Sequence, residues 1–173
     1  YPISEKVTFV GRAIAGHIQG WGGEDVRLLD LFYKGGETIR GFNRAGYGPR
    51  DSFTANSLGG TTHWAATAEV RFPIPFVPDE LGISAAAFAD AGSLFGVTNG
   101  VKGLNNCAEA APVAPAVRNN ICLQEDSSIR TSAGGSILWN SPLGPLRLDI
   151  AKALTKKDFD QTQLIRFGAS TKF

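Results

Sequence analysis

The 173-residue chain contains no methionine, not even at position 1, and only two histidines and two cysteines. No run of 18 apolar residues occurs, which excludes a membrane-spanning helix. A net charge of +1 gives no basic excess of the kind a nucleic-acid partner requires. No helical 3.6-residue period persists. No GxSxG, HExxH or phosphate-loop sequence is present, and no nucleophile and carboxylate lie at suggestive spacing, so a catalytic role has little support. Only a convergence of Asp90 with His63 would revive it. With Tyr1 in first place and no charged-then-apolar leader, the start reads as a processed end or a fragment boundary.

What the chain does have is glycine, 21 residues against a usual ~7%, and alternation. Six segments carry a period of two and read as strands: 6–18, 61–74, 81–91, 128–140, 145–154 and 162–173. In 61–74, Trp64, Ala66, Ala68, Val70 and Phe72 share one face, with His63, Ala65, Thr67, Glu69 and Arg71 on the other. In 128–140, Ile129, Thr131, Ala133, Ile137 and Trp139 oppose Arg130, Ser132 and Ser136. Leu146, Leu148 and Ile150 oppose Arg147 and Asp149. The last segment sets Ile165, Phe167, Ala169, Thr171 and Phe173 on one side.

The links between these segments are long (about 19–60), short (75–80), long (92–127), very short (141–144, bracketed by Pro142 and Pro145) and fairly short (155–161). Long and short links alternating along a meander are the pattern of an outer-membrane β-barrel, and a β-sandwich has less reason for it. A barrel also yields a mean hydropathy near zero, as here (−0.05). Six strands cannot close one, since about eight are needed, so a larger barrel is expected to contain them. Trp64, Trp139 and Phe72 then read as lipid-facing or girdle aromatics.

Cys107 and Cys122 lie in a stretch full of Asn, Pro and Ala. They are either two reduced thiols or a disulfide. The disulfide is the expectation, because a polar surface loop would otherwise expose two reactive thiols. It would contribute roughly 3 kcal/mol on the loop-entropy argument and imply an oxidising compartment. Without His or carboxylate at ligand spacing they make no metal site.

The stretch GGETIRGFNRAGYGPR, residues 35–50, sets Arg40 in a long loop among glycines that let backbone pack closely around it. Arg40 is either solvated or threaded somewhere specific. Glu69 sits on the polar face of its strand, which encloses water if the apolar face meets lipid, and is a candidate partner. Arg71 and a cross-strand Arg130 are competing partners for Glu69. Asp90, near a strand end, is either a second carboxylate for Arg40 or a turn-former before Gly92. Phe42 either packs beside Arg40 or is exposed.

IRGF (39–42), AEVRFPIP (68–75), FADAGSLF (88–95), LWNSPLGPLRLDIAKAL (138–154) and RFGASTKF (166–173), in this order, resemble the C-terminal barrel of the BamA family, outer-membrane assembly factors of the POTRA-barrel insertase superfamily. The resemblance covers essentially the whole chain. It implies an all-β antiparallel meander, the C-terminal six strands of a transmembrane β-barrel, sixteen-stranded when intact, with long extracellular loops and short periplasmic turns. It implies a lumen anchor formed by Arg40, Gly41 and Phe42 of an inward-folding loop with Glu69 and Asp90. Arg166, Gly168, Thr171 and Phe173 match a terminal barrel signal and seam. Gly168 would let the last strand kink, and Thr171 departs from the larger apolar residue usual there. Implied too are insertion of outer-membrane protein clients without bond chemistry or cofactor, a Gram-negative outer-membrane location, contact with lipid, and accessory lipoproteins reached through N-terminal repeats. A translocation factor or two-partner secretion transporter of the same superfamily is the alternative, and a soluble β-sandwich binding module is a third reading.

Overall fold

The computed structural model describes residues 1–4, 6–107, 121–142 and 144–169. Its strands are β1 (Pro2–Ser4), β2 (Val7–His17), β3 (Arg50–Asp51), β4 (Thr62–Pro73), β5 (Ile83–Phe95), β6 (Leu123–Gln124), β7 (Arg130–Ser141), β8 (Gly144–Thr155) and β9 (Ile165–Ala169). Seven of them form one antiparallel meander in the order β1-β2-β4-β5-β7-β8-β9. Among the described residues the sheet ends at β1 and β9 and does not close. The all-β antiparallel architecture expected from the alternation is the one observed.

Most strand ends shift by a residue or two from the sequence reading, and larger differences occur at both ends of the sheet and in β5. β1 is an additional short strand, paired with the start of β2. β5 runs on to Phe95 rather than stopping at 91, because Gly92 and Phe95 continue the ladder opposite Ala65 and Thr62. The last strand begins at Ile165, not 162. Gln161 and Gln163 give their backbone hydrogen bonds to the loop before β4, not to β8.

Ladder register brings the polar faces of adjacent strands together. Glu69 of β4 lies opposite Val10 and Phe88, and Asp90 of β5 opposite Thr67 and Ser132. Short links at 74–82 and 142–143 and long links at 18–61 and 96–129 fall at opposite ends of the strands. The tight turn between β7 and β8 is closed by Ser141, whose hydroxyl donates to the Gly144 carbonyl at 2.6 Å.

The two faces have different surroundings. Phe9, Phe72, Ile137, Trp139, Ile150, Ile165 and Phe167 all lie on one face and are exposed. The opposite face is covered by the 18–61 loop. Its Ile39, Phe42 and Tyr47 pack against Ala65 and Leu94, with Ile14, Phe32 and Ala153 around them. The core therefore lies between a loop and a sheet, and among the described residues none covers the apolar side chains of the bare face.

The long links also join each other. β3, in the first, pairs with β6, in the second. Asp51 accepts hydrogen bonds from the amide of Cys122 (2.9 Å) and the hydroxyl of Thr54 (2.6 Å). A disulfide joins Cys107 to Cys122 beside this ribbon. The pairing of two strands of two residues each gave no periodic signal in the sequence.

Candidate functional site

Arg40 stands at the centre of the loop-covered face. Its Nε and Nη2 donate to the two oxygens of Asp90 at 2.8 and 2.7 Å, and its Nη1 donates to Glu69 at 2.6 Å. The Arg40 backbone amide also donates to Asp90, at 2.9 Å. The guanidinium carbon lies over the ring of Phe88, 3.4 Å from its centroid. Gly134 faces that ring across the ladder, and a Cβ there would lie 2.8 Å from it. A planar fork held by two carboxylates and an aromatic face satisfies Arg in a way an ammonium could not.

The neighbouring glycine fixes the approach. Gly41 has φ +89° and lies where a Cβ would be 3.2 Å from the backbone nitrogen of Ala153 in β8. Any other residue would combine left-handed strain with contact against a strand. Phe42 follows, almost wholly buried, with its ring edge-on to Tyr47 at 5.5 Å. Tyr47 in turn shares a 2.7 Å hydrogen bond with Thr38. Burial pushes the Tyr47 phenol well above its ordinary value, so it stays neutral at any physiological pH.

Glu69 serves more than Arg40. It accepts from Arg71 Nε at 2.7 Å and from Arg147 Nη2 at 2.7 Å. Arg147 also donates to Asp149 (2.6 Å) and to the Ser136 hydroxyl (2.7 Å), and Ser136 donates to Asp149. The result is a continuous network of Arg40, Arg71 and Arg147 with Glu69, Asp90 and Asp149. Three positive charges meet three negative ones, so burial leaves no uncompensated ion. The polar-face alternation already placed Arg147 and Asp149 together. Their convergence with Glu69 needed the curvature and register of the sheet.

Arg130 is not a partner of Glu69. It lies at the other end of β7, opposite Gly92 in register, and its Nε donates to Asp160 at 3.0 Å. Asp90 and His63 do not form a catalytic pair. Asp90 is bound to Arg40, and the His63 ring packs on Phe32 at 4.4 Å. Arg166 and Gly168 of β9 lie on the loop-covered side, where Arg166 approaches Glu37 at 3.9 Å. Thr171 and Phe173 lie outside the described residues. Among the described residues, no group of His, Cys, Asp and Glu has metal-binding geometry.

A sheet apolar on its bare face and charged on its loop-covered face, with long links at one end and short ones at the other, defines a segment of a transmembrane β-barrel. Residues 1–173 match the Omp85 superfamily domain, and the chain belongs to that superfamily of outer-membrane β-barrel proteins. It is 33% identical over 92% of its length to the outer membrane protein assembly factor BamA of Neorickettsia risticii, and 30% identical over its whole length to that of Neisseria meningitidis. A SAM50-like protein of Schizosaccharomyces pombe is 28% identical over 98% of the chain. The crystal structure of BamA from Haemophilus ducreyi lacking POTRA domains 1-3 superimposes with a TM-score of 0.73 at 23% identity, covering 96% of this chain and 32% of that one. The chain spans about a fifth of the length of the two BamA relatives (19% and 22%). It fits their C-terminal barrel region.

Proposed function

We propose that this segment belongs to a Gram-negative outer-membrane factor that folds and inserts other β-barrels, with β9 on one side of a weak seam where client strands pair. An entering strand must satisfy its backbone hydrogen bonds before it meets hydrocarbon, and an exposed sheet edge offers them by β-augmentation. The work needs no bond chemistry and no cofactor. Clients would be unfolded outer-membrane proteins, with lipid around the bare face and accessory lipoproteins reached through segments beyond this one.

The observation that carries the reading is the docking of Arg40 between Glu69 and Asp90. A loop of more than forty residues folded against the inner wall keeps that wall in shape while the seam yields. In this view Arg40, Gly41 and Phe42 are the anchor, Glu69 and Asp90 its seat, and Arg166, Gly168, Thr171 and Phe173 the terminal signal and seam. The test is client insertion by the full-length Arg40→Ala protein in reconstituted vesicles, together with its heat-modifiable migration. Slowed insertion and early loss of the folded band are expected. Wild-type behaviour in both would refute the brace.

A further inference from the structure

The connector from 156 to 164, just before the last strand, is held by a second buried guanidinium. Arg130 has no exposed surface. Its Nε and Nη2 donate to the two oxygens of Asp160 at 3.0 and 3.3 Å, and its Nη1 donates to the carbonyls of Asp126 (2.6 Å) and Ser128 (2.9 Å). Asp160 also accepts from the Lys157 amide at 2.8 Å, which closes the connector on itself. Lys157 Nζ pairs with Asp126 at 2.8 Å on the outside. Neither the Arg40 network nor the terminal signal includes any of these groups.

The residues that follow Asp160 are unusual in their pairing. Leu164 gives its carbonyl to Ala151 of β8. The backbone groups of Gln161 and Gln163 turn instead to the inner side, where Gly41 lies against Ala151 and Ala153 of β8. There the 18–61 loop takes them. Asn43 donates to the Gln161 carbonyl at 2.9 Å, Gln161 donates to the Gly46 carbonyl at 2.7 Å, and Gln163 donates to the Gly41 carbonyl at 3.0 Å. Phe42 and Thr162 form an antiparallel bridge at the centre of this contact. The loop thus pairs with the connector before the last strand begins its ladder with β8.

We propose that Arg130 and Asp160 are positioning residues for the last strand: they hold the connector so that residues 161–163 pair with loop residues 41–46 rather than with β8. This rests on the seam reading above, since where the last strand begins matters functionally only if that strand is one side of the seam. That pairing confines the last strand's ladder with β8 to the portion from Leu164 onward.

The experiment is hydrogen exchange on the full-length protein in detergent, without client, comparing wild type with Asp160→Asn. Amides of Asn43, Gln161 and Gln163 are expected to exchange about tenfold faster or more, because the buried fork has lost its charged partner. Amides in the β4–β5 ladder are expected to keep their rates. Asp160→Glu, which keeps the charge, is expected to retain most of the protection and serves if the amide variant does not fold. Unchanged exchange at the three amides would overturn the proposal. Faster exchange throughout the sheet would also overturn it, by making the pair a general structural contact. No client is present, so the result is independent of whether the assembly activity itself is established.

Discussion

At the scale of single residues, the molecule is organised around guanidinium groups with non-interchangeable surroundings. Arg40→Lys would keep the charge but lose the fork to Asp90 and the stacking on Phe88. It is expected to cost most of what Arg40→Ala costs, about 3–5 kcal/mol of local stability on the scale for one broken buried pair. The shift in thermal unfolding of the folded band measures it. Asp51 gives a pH-dependent counterpart outside the membrane-spanning segments. Burial alone would raise its pKa, but the donors from Thr54, Cys122 and Phe53 outweigh burial and hold the carboxyl below its ordinary range. A depressed folded-state value stabilises the β3–β6 ribbon above the ordinary carboxylate range, and that contribution fades as pH falls below about 4. The Cys122 amide resonance, followed by NMR in micelles, should lose its hydrogen-bonded shift over that range. In Asp51→Asn it should be shifted already at neutral pH and show no such transition.

At the scale of elements, alternation was readable and long-range closure was not. The faces of 61–74, 128–140 and 145–154 follow from a period of two, and Glu69, Arg147 and Asp149 are polar residues on strands whose other side is apolar. That much follows from side chains pointing to opposite faces of a strand. Arg40 could be assigned to Glu69 and Asp90 only through resemblance to the BamA family, because nothing local in a glycine-rich loop says where it docks. Asp160, in a connector with no periodicity, gave no signal at all. The last strand was read as three residues too long at its start because its alternation continues through 162–164, while the loop competes for the same backbone groups. The long links behave as one element. Reduction, or Cys107→Ser with Cys122→Ser, is expected to remove roughly 3 kcal/mol of loop-closure stabilisation, read as faster proteolysis near Asp51. The sheet itself should stay intact.

For the whole molecule, the decisive property is the contrast between the two faces. Ile150→Arg places a cation on the bare face, where an arginine near the bilayer centre costs ~2–4 kcal/mol. Folding into vesicles should be weakened by about that amount. Thr67→Arg in β4, on the opposite face of the sheet, should be far milder because its neighbours there already include charged side chains.

The charge network has one more consequence, which concerns errors rather than the finished structure. Glu69 reaches the guanidinium groups only because β4 sits in one alignment with its neighbours. Sliding that strand by a single position would turn the carboxylate, and Arg71 with it, out into oil and take one acceptor from Arg40 and from Arg147. The salt cluster thus works as a checksum on the weave: a misaligned product turns two charged side chains toward lipid and is disfavoured by its own electrostatics.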